Sequence, residues 1–355
     1  MKIVTILGAR PQFIKASTFS RAIQKDSDIE EIIVHTGQHY DENMSSVFFE
    51  EMKIPEPKYQ LGIGGGTHAE MTGKMLIKLE KILIKEKPDW VIVFGDTNST
   101  LAGALAATKL NIKIAHIESG LRSFNNQMPE EINRILTDRI SDLLFCPTIA
   151  AEENLIKEGF LNYQCKIVQV GDIMKEGARY FRSFATPPPN IIFDKPFKLV
   201  TIHRAENTND SNKLFTIFKA LNELGNSSRI IMPFHPRTKK RVDELKINTD
   251  NIEIIDPLGY IEMIWMINNC DGVITDSGGL QKEAYFFSKP CVTLRDETEW
   301  KELVNNNFNV LVGSNYDKII HALTSHKFND DFSLELYGGN NITSLIISEL
   351  KKATI

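Results

Sequence analysis

Val273-Ile274-Thr275-Asp276-Ser277-Gly278-Gly279-Leu280-Gln281-Lys282-Glu283 passes from a short apolar run into helix-compatible sequence through an acid, a hydroxyl and two glycines. A strand that ends this way and opens a helix presents unpaired backbone amides, and glycine lets an anion approach them closely. Ser277, Gly278 and Gly279 are therefore candidate phosphate-binding positions. Glu283, one helical turn further in, can accept two hydrogen bonds from a ribose diol. The same residues serve equally as a serine N-cap with glycines in a tight turn. On either reading the segment is a strand-to-helix crossover.

Around this segment, β-branched apolar runs recur at 198–202, 230–233, 252–254 and 290–294, each followed by helix-compatible sequence. Earlier in the chain the same alternation occupies 2–7, 31–35, 90–94, 112–116, 143–145 and 166–170. Strands alternating with helical stretches predict parallel sheets wrapped by helices. The alternation stops at 184–190, where Pro187, Pro188 and Pro189 can enter neither a helix interior nor a strand ladder. The chain of 355 residues is long enough for two such bodies. The expected α/β architecture is two Rossmann-like doubly wound domains, 1–183 and 190–338, facing a cleft. Ligands in open parallel sheets sit beyond the carboxyl ends of the strands, so residues just after each run carry the information.

With 41 Lys plus Arg against 46 Asp plus Glu, the net charge of -5 makes nucleic acid or an acidic membrane an unexpected partner. Any anion has to be bound by local geometry. Cys146, Cys165, Cys270 and Cys291 form no C-x-x-C pair, which argues against a zinc or disulfide framework and predicts a reduced, cytoplasmic setting. The apolar stretch at 2–7 is too short for a signal peptide and reads as a first buried strand.

After that strand come Gly8-Ala9-Arg10-Pro11-Gln12-Phe13-Ile14-Lys15, with cations in the loop and in the first turn of a helix. A bound anion would account for both Arg10 and Lys15; a loop with solvated charges is the plainer reading. Gly62-Ile63-Gly64-Gly65-Gly66-Thr67 lacks the third glycine of a dinucleotide fingerprint and follows no clear strand, so no nicotinamide cofactor is expected. Asp96 follows the strand at 90–94, and Glu118 follows the strand at 112–116. Glu130 opens a helix in Pro129-Glu130-Glu131-Ile132-Asn133-Arg134. Each acid alone reads as a helix cap or first-turn acid; three at the ends of successive elements point to acid–base chemistry. In the second half His203 and His235 follow strands on the expected cleft rim. Neither they nor His39, His68 and His116 show a metal-ligand spacing, so no metal is expected.

Taken together, the motifs resemble the non-hydrolysing UDP-N-acetylglucosamine 2-epimerases from end to end. The resemblance rests on G-x-R-P-x-x-I-K at 8–15, Gln38-His39, GDTNST at 95–100, HIESGLRSF at 116–124, PEEINR at 129–134, HRAEN at 203–207, TDSGG at 275–279 with Glu283, and Arg295-Asp296-Glu297-Thr298-Glu299. It implies a glycosyltransferase-B-like fold whose last helix, 341–353, returns to the first domain. It also implies a UDP-sugar substrate, a homodimer, and no cofactor. Asp96, Glu118, Glu130, His203 and Lys15 would be catalytic. Arg10, His235, the backbone near Met263, Ser277, Gly278, Gly279 and Glu283 would bind UDP. The nearest branch acts on UDP-2,3-diacetamido-2,3-dideoxy-glucuronate, a surface-polysaccharide precursor. Gln12 in place of Glu, Trp300-Lys301-Glu302 in place of Arg-Pro-Glu, and Gln38-His39-Tyr40-Asp41 in place of a Gln-His-Arg run point that way, with Gln12 and Trp300 expected near the sugar. A glycosyltransferase of the same architecture and a hydrolysing 2-epimerase are the alternatives.

Overall fold

The computed structural model describes residues 1–38 and 52–354, so His39, Tyr40 and Asp41 lie outside the described residues. The chain forms two compact units, Met1–Gly177 with Glu335–Ile355, and Ala178–Leu334. The division falls inside the helix Ile173–Arg182, a few residues before the proline run, and the return to the first unit starts at Glu335.

In the first unit the strands are β1 (Lys2–Leu7), β2 (Glu30–His35), β3 (Tyr59–Gln60), β4 (Trp90–Phe94), β5 (Lys113–Ile117), β6 (Leu143–Cys146) and β7 (Lys166–Gln169). They pair in parallel in the order β3-β2-β1-β4-β5-β6-β7. The second unit holds β8 (Phe197–Thr201), β9 (Arg229–Pro233), β10 (Glu253–Ile255), β11 (Gly272–Thr275), β12 (Cys291–Thr293) and β13 (Asn309–Leu311), all parallel, ordered β10-β9-β8-β11-β12-β13. Both sheets reverse their winding once, between β1 and β4 and between β8 and β11. That reversal leaves a crevice beyond the strand ends where successive helices leave on opposite faces.

Burial on both faces explains why the central strands read as continuous apolar runs: all five residues of β4 are buried, as are Ile3, Val4, Ile6 and Leu7 of β1. The two-residue β3 and three-residue β13 escaped the sequence reading because neither is long enough to show a period. The helix Asn98–Lys109 is rich in small residues and lies close on the sheet; a Cβ on Gly103 would come within 2.8 Å of Ile6 Cδ1. Glycine there lets the helix approach β1. At the far end of the chain the helix Ile342–Thr354 is tied to the first unit, with Lys351 Nζ 2.7 Å from Asp26 and Trp90 Nε1 donating to Thr354 Oγ1 at 2.8 Å. Among the described residues no helix is long and apolar enough to cross a membrane.

Candidate active site

Loops after β1, β4 and β5 meet at the first crevice. Asp96 follows Gly95 at the end of β4, and Glu118 directly follows β5. Lys15, from the second turn of the helix Arg10–Ile23, reaches Glu118 with Nζ 2.5 Å from Oε1, and both side chains are nearly buried. Glu118 holds φ at +73°, a left-handed backbone that a side chain resists. Strain of this kind concentrates at functional sites. Gly95 is needed beneath the pair, because its φ is +62° and a Cβ there would lie 3.2 Å from both Glu118 Oε1 and Lys15 Nζ.

Asp96 accepts a hydrogen bond from Arg134 Nη2, and Arg134 Nη1 is bonded to Glu131 Oε2 at 2.8 Å. Glu131 is fully buried and also accepts from the amides of Ser123 and Phe124 at 2.9 Å. It thus shapes the loop after Glu118. Glu130 lies in the first turn of the helix Pro129–Arg139, half-buried. Arg10 opens its helix, also half-buried.

Three expectations change here. The helix after β4 is capped by Thr97, whose hydroxyl accepts from Thr100 N at 3.2 Å, so Asp96 is no cap. The anion that accounts for Lys15 is the chain's own Glu118. Gln12 is 1% exposed and wholly occupied: Oε1 accepts from Gly8 N at 2.8 Å and Ala9 N at 3.1 Å, while Nε2 donates to Phe94 O at 2.9 Å with Thr97 and Thr100 hydroxyls at 3.0 Å. It ties the loop after β1 to the loop after β4 and offers nothing to a sugar.

At the second crevice Asp276 is the hub. It is fully buried; its carboxylate accepts from His203 N at 3.1 Å, Arg204 N at 3.0 Å and Asn207 Nδ2 at 3.1 Å, and His203 Nδ1 stands 3.4 Å away. This joins the end of β8 to the end of β11. The helix Gly278–Phe286 starts at Ser277, whose hydroxyl makes no capping hydrogen bond. The plain N-cap reading is therefore not realised. A Cβ on Gly279 would meet nothing within 4 Å, so the helix's first turn is open on that side. Gly278 is more confined, its missing Cβ lying 2.5 Å from Glu299 Oε1. Glu283 is nearly buried and accepts from Tyr260 Oη at 3.1 Å.

His235 caps the helix Pro236–Leu245, its Nδ1 accepting from Arg237 N at 3.2 Å, and its ring centroid lies 5.6 Å from that of His203. Met263 is half-buried on the helix Tyr260–Asn269, and its amide is bonded to Gly259 O at 3.1 Å. Trp300 is 4% exposed, with the Lys282 ammonium 3.9 Å from its ring centroid, so it covers a buried cation and is no open platform for a sugar.

Asp276, Asn207, Glu131, Arg134 and Tyr260 were not singled out in the sequence. The three-residue spacing of Glu131 and Arg134 on a helix was the available signal for one pair. Asp276, an acid immediately after a buried strand, was the signal for the hub.

The sequence profile of the family described as "UDP-N-acetylglucosamine 2-epimerase" matches residues 21–351. Over 354 residues the chain is 55% identical to the UDP-2,3-diacetamido-2,3-dideoxy-D-glucuronate 2-epimerase of Pseudomonas aeruginosa, spanning 99% of this chain and 100% of that one. It is 47% identical over 338 residues to the UDP-N-acetylglucosamine 2-epimerase of Methanocaldococcus jannaschii, spanning 91% of each. The crystal structure of M. jannaschii UDP-GlcNAc 2-epimerase in complex with UDP-GlcNAc and UDP matches at a TM-score of 0.89 and 43% identity, over 99% of this chain and 100% of that chain. Acinetobacter baumannii MurG matches at a TM-score of 0.57 and 14% identity over 99% of each chain, a likeness of fold alone that agrees with the glycosyltransferase-B-like class. With the profile spanning most of its length and relatives matching end to end, the chain belongs to the UDP-N-acetylglucosamine 2-epimerase family.

Proposed function

We propose that the protein is a non-hydrolysing epimerase acting at C2 of a UDP-linked 2-acetamido sugar. The observation that carries this reading is the pair of cation-bonded carboxylates, Glu118 with Lys15 and Asp96 with Arg134, at one strand-end crevice. C2 of such a sugar bears a hydrogen and an acetamido nitrogen and is not adjacent to a carbonyl, so an enolate is unavailable. Breaking C2–H and C1–O gives a 2-acetamidoglycal: the proton passes to a carboxylate and the C1–O electron pair leaves with UDP. Delivery of a proton to the opposite face, with re-formation of C1–O by UDP, yields the manno epimer. Asp96, Glu118 and Glu130 are the acid–base set, with Lys15 as the proton-bearing partner of Glu118. Ser277, Gly278, Gly279 and Arg10 stabilise the charge on departing UDP, with His203 and His235 alongside, Glu283 on the ribose and Met263 lining the nucleotide.

UDP-2,3-diacetamido-2,3-dideoxy-glucuronate is the favoured substrate over UDP-N-acetylglucosamine. Support comes from 55% full-length identity to the P. aeruginosa enzyme against 47% to the M. jannaschii enzyme. The buried Gln12 and Trp300 add nothing to it. In this reading the enzyme works in the cytoplasm on precursors of a surface polysaccharide. It acts as a homodimer; exposed Ile77, Ile84, Ile132 and Leu136 on two helices of the first unit give apolar surface for a second copy. Incubation with each UDP sugar, followed by NMR, should give a UDP-linked manno epimer with higher kcat/KM for the diacetamido-uronate. Free sugar as the only product, or turnover only with an added acceptor, overturns the reading.

A further inference from the structure

His116 is fully buried in β5, two residues before Glu118. Its Nδ1 lies 2.7 Å from Asp138 Oδ1 and its Nε2 lies 2.7 Å from the carbonyl oxygen of Gly95. A main-chain carbonyl only accepts. Asp138 Oδ2 accepts from Arg122 Nη1 at 2.7 Å and from Gly120 N at 3.2 Å, so this carboxylate too is an acceptor. Each ring nitrogen therefore faces an acceptor.

Behind it the network continues. Arg122 Nη1 is 2.7 Å from Asp138 Oδ2, and the same guanidinium grips Glu158 through two hydrogen bonds of 2.7 and 2.8 Å. The amide of Gly120 donates to Asp138 at 3.2 Å. His116 and Arg122 thus share two carboxylates, Asp138 and Glu158, behind the strand ends. Charges buried this way give little net stability but fix a geometry.

The geometry they fix is that of the acid–base set. The Gly95 carbonyl belongs to the peptide that leads into Asp96, and Gly95 N donates to Ile117 O at 2.9 Å, directly before Glu118. Gly95 and Glu118 both hold left-handed backbone, at φ +62° and +73°. We propose that His116 is a positioning residue of the reaction: donating through both ring nitrogens, to Asp138 and to the Gly95 carbonyl, it locks the two left-handed strand ends that carry Asp96 and Glu118. This rests on the epimerase reading, and the test keeps the two apart.

His116→Phe keeps the ring volume and removes both donors; His116→Gln restores one. In folded variants, confirmed by circular dichroism, we expect His116→Phe to lower kcat about a hundredfold with UDP affinity within about twofold of wild type, and His116→Gln to recover about tenfold of that loss. A His116→Phe enzyme with kcat within about threefold of wild type overturns the proposal, as does a parallel loss of kcat and UDP affinity. Should His116→Phe fail to fold, NMR of the ¹⁵N-histidine-labelled wild type decides. Two slowly exchanging ring N–H protons on His116 support the bridge, and a neutral ring with one overturns it. The NMR readout does not depend on turnover, whereas failure of the wild type to epimerise either sugar counts against the proposed function itself.

Discussion

The two strand-end crevices are built on the same winding but filled in opposite ways. Beyond β1 and β4 the space is closed by side chains bonded to one another: Gln12 across the loops, Lys15 with Glu118, Arg134 with Asp96, and His116 behind. Beyond β8 and β11 a single buried carboxylate, Asp276, gathers the loops, while the helix is left open at Gly279. A group that must move a proton has to be held in a defined orientation, which charged partners supply. A diphosphate needs amides it can approach, which requires side chains to be absent. In the proposed function this contrast becomes a division of labour, with the acid–base set in the first unit and, Arg10 apart, the nucleotide contacts in the second.

The largest effects should come from separating those roles. Asp96→Asn and Glu118→Gln keep shape and remove charge; each should lower kcat at least about a hundredfold while UDP binding, measured by calorimetry, stays near wild type. Variants that lose both together would merge the two crevices into one function.

Next in size is the open helix. A Cβ at Gly279 meets no neighbouring atom within 4 Å, which makes Gly279→Val the cleaner probe. It should leave thermal stability near wild type yet weaken UDP binding about tenfold or more, at about 1.4 kcal/mol per tenfold. Glu283→Ala should do likewise. Gly278→Val is a poorer probe, because its side chain would displace Glu299. Unchanged UDP affinity in folded Gly279→Val and Glu283→Ala would move the nucleotide away from this crevice.

Smaller, and confined to stability, is the effect expected at Gln12. Truncation to Ala strips a partner from the Gly8 and Ala9 amides, so denaturant unfolding should show a loss of about 2 kcal/mol. The ratio of kcat/KM for the two candidate sugars should not change. A shift in that ratio would return Gln12 to substrate recognition.

The smallest effect tests whether all polar burial in the first unit is ion-paired. Glu31 of β2 is bonded to the Thr5 hydroxyl at 2.5 Å, and burial pushes its carboxyl above the ordinary value, against the lowering effect of the Thr5 and Ser20 hydroxyls. A carboxyl raised in the folded state contributes stability that is present below its unfolded value and lost as pH rises through its folded value. Glu31→Gln should therefore raise the Tm at neutral pH, with the difference vanishing toward about pH 4. A lower Tm at neutral pH would mean that the ionised carboxylate is the stabilising form.

Much of this was legible because parallel strands buried on both faces leave long apolar runs, and the residues after them mark the crevices. Asp96, Glu118, Ser277 and Gly279 were found that way. What the sequence hid was partnership. Nothing in the spacing of Lys15 and Glu118, 103 residues apart, announces a 2.5 Å ion pair. Nor does the alternation say that Gln12 faces backbone amides, or that Trp300 covers Lys282. Those contacts depend on which loops the strand order brings together, and the order β3-β2-β1-β4 follows from packing of the whole sheet.

In the proposed reaction the C2 proton leaves the sugar and a different one returns while UDP waits. Epimerisation in D₂O, with the product examined by NMR and mass spectrometry, tests it most directly. UDP-linked manno product should carry deuterium at C2. Product with C2 fully protonated, or formed only when NAD is supplied, would contradict it.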